Sequence, residues 1–473
     1  MKGTLSYASA RFAERLVSFF LLPILTKIVT KEEYAIWTQS ILITGILTPI
    51  ILLKFETTVV KFFPNWTSQN KKENSVIVFM MTLILILFCM LASLSLVFNK
   101  YIAFLIFGDY QLSIYIPIVV GLLLSELLFE FLIALLRISD RINNLSIYLV
   151  AKSVWRLAII TLVLIGIDNS FYYAFWSFVV FQFFITFGLF FWEINLISMI
   201  RVGLNKGRSE WSKILKFSFP LVPFIMLIMI HNFADRFFIA HFLGLEVLAI
   251  YSAAFSLATI ITFFHSTINF ILFTELSKKW LNKNKDNITF LLKKIFTAYF
   301  ALTLPFLVFI GIAGSEFLQV LTTKDYFISP QVLFLICFNI AIFGFYQFTY
   351  NIVLLERGSF DAPIIMLFVT GINIFINFIL VPKIGILGSA LASFFSNSLL
   401  AIISYKISQN ILKYKFPFKE FIKILIRSLI MGLVIWQGIN YLGNDIISLS
   451  IILIFASLIY ILLDIFGSDD SSF

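Results

Sequence analysis

Residues 112–136 read LSIYIPIVVGLLLSELLFEFLIALL, a run of 25 positions with two charges, Glu126 and Glu130. A helix needs about 20 apolar residues to cross the roughly 30 Å hydrocarbon core of a bilayer. This run is long enough, and similar runs follow one another with short polar breaks from about residue 6 to residue 466. They predict fourteen spans: 6–28, 35–55, 76–98, 112–136, 146–167, 170–192, 214–235, 246–272, 294–313, 331–355, 362–381, 386–408, 421–442 and 447–466. Of the 473 residues, 60% are hydrophobic and 13% charged, and mean hydropathy is +1.00. A chain so apolar cannot hide its surface from water, which excludes a soluble protein. The expected fold class is an all-α polytopic membrane protein.

Basic residues set the orientation. With the first residues in the cytoplasm, 24 Lys and Arg fall in cytoplasmic segments, 6 in outer loops and 5 within spans. That asymmetry puts both termini inside, since the span count is even. It also accounts for the net charge of +10 without nucleic-acid binding. The first span is not a cleavable signal, because Arg11, Glu14 and Arg15 interrupt its apolar region. Cys89 and Cys337 each sit alone in an apolar run, so neither a disulfide framework nor a metal set follows from them. His231, His241 and His265 lack metal-ligand spacing. No metal or cofactor is expected. The sequons at Asn65, Asn144 and Asn287 lie at or near cytoplasmic segments and read as chance.

A weak duplication runs through the chain. Residues 30–37, from Thr30 to Trp37, match Gly244 to Tyr251 at an offset of 214. Leu135-Leu136 matches Leu354-Leu355 at 219, and Ser177-Phe178 matches Ser393-Phe394 at 216. The repeat unit is six spans, and an even unit re-enters the membrane in the same direction. Two pseudo-symmetric lobes related by an axis along the membrane normal follow, with a central cavity between them. The expected division is a first lobe over 1–200, a second over 201–412, and two added helices with a short tail over 413–473.

The Glu32-Glu33-Tyr34-Ala35-Ile36-Trp37 turn, Ala234-Asp235-Arg236 with the residues to Ala240, Glu246 through Ala253, and Pro382 through Ala390 together resemble the polysaccharide (O-antigen type) flippases. The resemblance covers the whole chain. These flippases share a superfamily with multidrug exporters and lipid II flippases. The resemblance implies a cationic central cavity and, as cargo, an undecaprenyl-diphosphate-linked oligosaccharide. It also implies a bacterial inner membrane, alternating access without bond-breaking chemistry, and contact with membrane lipid. Polysaccharide polymerase and chain-length machinery would be the protein partners.

Charges within spans each need a reason, since an unpaired charge at mid-bilayer costs several kcal/mol. Arg11 and Arg15 share a face of the first span, and Glu14 reaches only one of them. They suit a diphosphate, which a guanidinium grips in forked geometry; the alternative is that they snorkel to the cytoplasmic interface. Glu126 and Glu130 in the fourth span face Arg156 and Lys152 in the fifth at matched depths near 15 and 9 Å. The expected rungs are Glu126 with Arg156 and Glu130 with Lys152, an interhelical ladder or a proton- or cation-coupling site. Asp235 and Arg236 close the seventh span as either a structural turn or an outer gate, with Arg236 a further substrate contact. Arg427 snorkels. Pro23, Pro49, Pro220 and Pro223 mark possible bends.

Two rivals remain. A cationic-drug antiporter of the same superfamily would want a net negative cavity, whereas the first span is net positive. A polyprenyl-linked glycosyltransferase or polymerase would need a sizeable outer loop. The longest outer break, at 314–330, holds only Glu316, Lys324 and Asp325, so an enzyme is not expected.

Overall fold

A computed structural model describes residues 2–63, 71–139, 141–166, 170–193, 208–281, 285–357, 361–443 and 445–467. Within these, side chains are described except at 2–8, 11, 12, 15, 71, 72, 208–210, 281, 285, 357, 361, 362, 446 and 464–467. Every regular element among the described residues is helical. In lipid no water can satisfy free peptide groups, and a helix satisfies its own. In order the helices are α1 (Lys2–Ile28), α2 (Lys31–Ile51), α3 (Phe55–Phe62), α4 (Lys71–Val97), α5 (Asn99–Phe107), α6 (Ile116–Ile138), α7 (Ile142–Gly166) and α8 (Phe171–Glu193). There follow α9 (Arg208–Ser218), α10 (Leu221–Leu243), α11 (Leu245–Leu281), α12 (Lys285–Leu321), α13 (Pro330–Arg357), α14 (Asp361–Ile384), α15 (Ile386–Ile411), α16 (Phe418–Leu442) and α17 (Ile446–Gly467). Among the described residues, twelve stretches are long and apolar enough to cross a membrane, and two shorter apolar ones lie in α1 and α17. These are the fourteen expected positions.

Three bounds differ from the sequence reading. Helices α11 and α12 run 37 residues each, well past the expected ends of their spans, because polar helix-forming residues extend the apolar core. The outer break after α12 shrinks, since the helix reaches Leu321 and a 3-10 turn occupies Lys324–Tyr326. Helix α10 continues to Leu243, so Asp235 and Arg236 do not end a span. The apolar residues after Arg236 carry the helix on until Gly244 stops it. The expected lobe boundary at 200–201 lies outside the described residues.

Three of the four motifs behind the family resemblance fall at helix junctions, and the fourth, Ala234 to Ala240, lies within α10. Thr30 caps α2: its hydroxyl accepts the Glu33 N–H at 3.2 Å, and the Glu33 carboxylate accepts the Thr30 N–H at 2.9 Å. This capping box satisfies two orphan donors at once. Gly385 turns α14 into α15 at φ +63°, a region that side chains rarely adopt. Helix starts also recur at the repeat offset: Lys31 and Leu245 are 214 residues apart, and Phe171 and Ile386 are 215 apart.

The chain divides into two compact units, Met1–Leu248 and Ala249–Phe473. In unit 1 a core forms where α3 and α4 meet α6, with Phe55 stacked on Phe131 at 4.3 Å. Trp37 of α2 rests against Phe175 and Phe178 of α8. In unit 2, α13 packs on α15 and α12, α16 packs on α12, and α17 packs on α16. Helix α15 buries Gly388, Ser389, Ala390, Ala392, Ser396 and Ser404. Small residues let helix backbones approach where lipid offers no hydrophobic drive.

Candidate functional site

Helices α1, α6, α7 and α8 of unit 1 bring together the polar side chains that are hardest to place in a membrane. Glu126 projects from α6 about 18 Å from that helix's cytoplasm-assigned end, at 1.5 Å per residue. Its Oε2 accepts the Lys152 ammonium of α7 at 2.6 Å, and its Oε1 accepts the Gln182 amide of α8 at 3.0 Å. Lys152 Nζ also lies 4.2 Å from the Phe129 ring centroid, where the ring's negative face adds to its stabilisation. Arg156, one turn further along α7, donates to the Ser18 hydroxyl of α1. That hydroxyl in turn donates to the Glu14 carbonyl at 2.7 Å. Arg156 lies within electrostatic reach of both Glu126 and Glu14.

The expected partners therefore meet, in a different register. Lys152 holds Glu126, the acid expected opposite Arg156, while Arg156 turns to α1. Four residues advance a helix by about 400°, so Arg156 points about 40° away from Lys152. Helix α7 packs along α1, and that rotation aims the guanidinium at Ser18. Glu130 lies half-buried one turn along α6 from Glu126.

Arg11 and Arg15 lie on α1, four residues apart, and their side chains fall outside the described residues. Asp235 is buried within α10, and its carboxylate accepts the Arg236 N–H at 2.9 Å. The Arg236 guanidinium sits 5.3 Å from the Phe233 ring centroid. This pair belongs to the body of the helix, as does buried His231 one turn before Asp235.

Sequence reasoning missed two groups. One is a second acid: Glu193, at the last turn of α8, accepts from Arg141 at 2.7 Å, from Asn144 at 2.8 Å and from the Tyr148 hydroxyl. Arg141 also bonds the Glu193 carbonyl at 3.0 Å. This acid at a helix C-terminus opposes the helix dipole, which is a readable sign that it needs partners. The other is the amide set of unit 2. His265 and Asn269 of α11 meet Gln347 and Asn351 of α13 at 3.0 and 2.7 Å. Asn373 donates to Ser396 at 2.9 Å, and Ser389 donates to Asn377 at 2.8 Å. The signal was Asn and Gln recurring at four-residue spacing within apolar runs.

Among the described residues no group of His, Cys, Asp and Glu is arranged to hold a metal ion. Among the described residues, fourteen apolar helices in two compact units, with an ion pair held inside the first, have the architecture of a polytopic membrane protein. The chain belongs to the polysaccharide biosynthesis protein family, whose model matches residues 1–278. Its fold is similar to that of the lipid II flippase MurJ in an inward closed conformation, with TM-score 0.79 and 17% identity over 97% of each chain. It is also similar to an inward-facing multidrug resistance MATE family transporter of the MOP superfamily. That match has TM-score 0.66 and 14% identity over 85% of this chain and 97% of the other. The uncharacterized membrane protein MJ1068 of Methanocaldococcus jannaschii is 20% identical over 200 residues, 42% of this chain and 39% of that protein. The chain thus spans about two fifths of the length of this curated relative. The fold is thus shared with solved flippase and transporter structures, and the family is one of polysaccharide biosynthesis.

Proposed function

We propose that the protein flips an undecaprenyl-diphosphate-linked oligosaccharide from the cytoplasmic to the periplasmic leaflet of a bacterial inner membrane, by alternating access of two lobes. The observation that carries this reading is internal neutralisation of the buried acid. Glu126 already holds a lysine and an amide, so it is not an open anionic seat for a cationic drug. Across α1, α6 and α7 the membrane-embedded charges are Arg11, Arg15, Lys152 and Arg156 against Glu14, Glu126 and Glu130, a net positive set. A diphosphate wants that sign, and a low-dielectric cleft strengthens the attraction.

In this reading Arg11 and Arg15 grip the diphosphate, with Arg236 a further contact, while the polyprenyl tail stays in lipid. Glu14, Glu126, Glu130, Lys152, Arg156 and Asp235 set the ionic framework that holds the helices or couples an ion. The lobes are 1–200 and 201–412, with 413–473 appended and both termini cytoplasmic. A polymerase with its chain-length machinery would receive the cargo.

The test uses full-length protein in liposomes with a fluorescent polyprenyl-diphosphate sugar, scored by lectin access at the far leaflet. Wild type moves the lipid, Arg15→Ala abolishes movement, and Arg15→Lys restores part of it, because lysine keeps the charge but loses the fork. Wild-type rates from Arg11→Ala/Arg15→Ala at equal protein would end the proposed role of these arginines. Efflux of a cationic dye, with no movement of the lipid-linked sugar, would favour the antiporter.

A further inference from the structure

Helix α9 is amphipathic, and the protein itself occupies its apolar side. Trp211 stacks on Phe79 of α4 with centroids 4.0 Å apart and planes 5° from parallel. Ile214 is buried in the unit 1 core, and the Ser218 hydroxyl meets that of Thr58 on α3 at 2.7 Å. Phe217 carries the Lys61 ammonium of α3 at 3.7 Å from its ring centroid. With that side committed, the exposed side of α9 presents Ser212, Lys213 and Lys216. Lys213 and Lys216 are three residues apart and share a face. Exposed Lys61 extends the same basic surface onto α3. The acid of α3, Glu56, is already engaged by Lys54 at 3.1 Å.

This surface lies at the end of unit 1 that the lysine and arginine asymmetry assigns to the cytoplasm. A general basic bias would be met by lysines on a slack loop. Here they ride on a helix pinned at Trp211, Ile214, Phe217 and Ser218. We propose that the α3–α9 face, with Lys61, Lys213 and Lys216, is a docking surface for the anionic headgroups of glycerophospholipids in the cytoplasmic leaflet. The choice of lysine supports that partner. An ammonium is a compact point charge that suits a fluid layer of phosphates, whereas the forked arginine suits one fixed diphosphate. Each lysine near such a surface adds electrostatic attraction that salt weakens. This site is separate from the diphosphate grip assigned to α1, and each can fail without the other.

The experiment titrates purified full-length protein in neutral detergent with fluorescent phosphatidylglycerol, using phosphatidylcholine as the control. Wild type should bind phosphatidylglycerol at least about tenfold more tightly, and 0.5 M salt, a Debye length of about 4 Å, should erase most of that preference. Lys61→Gln/Lys213→Gln/Lys216→Gln should lose it, and the matching triple Arg variant should keep it. Lys213→Glu/Lys216→Glu changes only exposed positions of α9 and should lose the preference too, with an unchanged melting temperature in detergent showing that the fold is kept. An undiminished preference for phosphatidylglycerol in either charge-removing variant, or equal binding of both lipids by wild type, would overturn the proposal.

Discussion

In unit 1 the polar contacts that join α6, α7 and α1 are ionic, Glu126 with Lys152 and Arg156 against α1. In unit 2 they are amides, hydroxyls and an imidazole: His265 with Gln347, Asn269 with Asn351, Asn373 with Ser396. Helices α13 and α14 carry no charged residue between their terminal turns. The same kind of helix packing is therefore held by two kinds of chemistry. An ion in lipid is tied to its partner, because losing either leaves an uncompensated charge. An amide that loses one partner can find another, and its bond is worth less. Unit 1 thus ties three of its helices by charge, in the part of the chain with a net positive embedded set.

The comparison breaks or sharpens first at Lys152. Lys152→Met should cost about 3–5 kcal/mol of unfolding free energy, because Glu126 loses its ion-pair partner within the membrane and keeps only the Gln182 amide and the more distant Arg156. Adding Glu126→Gln should restore most of that loss, since the charge goes with its partner. Denaturant titration in lipid-containing micelles reads both. A double variant no more stable than the single would show that Glu126 does not depend on Lys152.

Packing gives the next effect. A Cβ on Gly344 of α13 would lie 2.5 Å from the Tyr299 hydroxyl and 2.7 Å from the His265 Cβ. Gly344→Ala should therefore cost about 1–3 kcal/mol. Gly371→Ala on α14 meets nothing within 4 Å and should be neutral or stabilising by up to about 1 kcal/mol. Equal melting shifts for the two would contradict the close packing of α11, α12 and α13.

Asn373→Leu removes a donor to Ser396 and an acceptor for Asn377, and should cost about 1 kcal/mol in the same assay. A loss as large as that from Lys152→Met would erase the distinction between the units. The smallest effect belongs to Lys293 and Glu420, paired at 2.7 Å with the lysine half-exposed. Lys293→Ala should change stability by about 0–1 kcal/mol, less at high salt.

Much of the fold was legible because lipid permits few solutions. Apolar length located the helices, and the Thr30–Glu33 capping box marked a junction from four letters alone. The bounds of α10 through α12 were less legible, since a helix continues past the apolar stretch that reveals it. In the ionic cluster the sequence placed Glu126, Lys152 and Arg156 at nearby depths but expected Arg156, one turn from Lys152, as the partner of Glu126. Depth along a helix can be counted, whereas rotation about its axis depends on which neighbour it packs against.

The sequence by itself determined an all-helical membrane chain, its fourteen apolar helices, its sided charge and its family. The helices follow from hydrophobic length and short-range turn chemistry, which act within a few residues, the sided charge from where lysine and arginine fall, and the family from a resemblance carried by short motifs. Only the tertiary structure decided that Lys152 rather than Arg156 neutralises Glu126, that Gln182 and Ser18 complete that cluster, and that Glu193 closes onto Arg141 and Tyr148. It also decided which side of α9 remains exposed. These are contacts between helices distant in sequence, fixed by packing angles and axial rotation that no local pattern encodes.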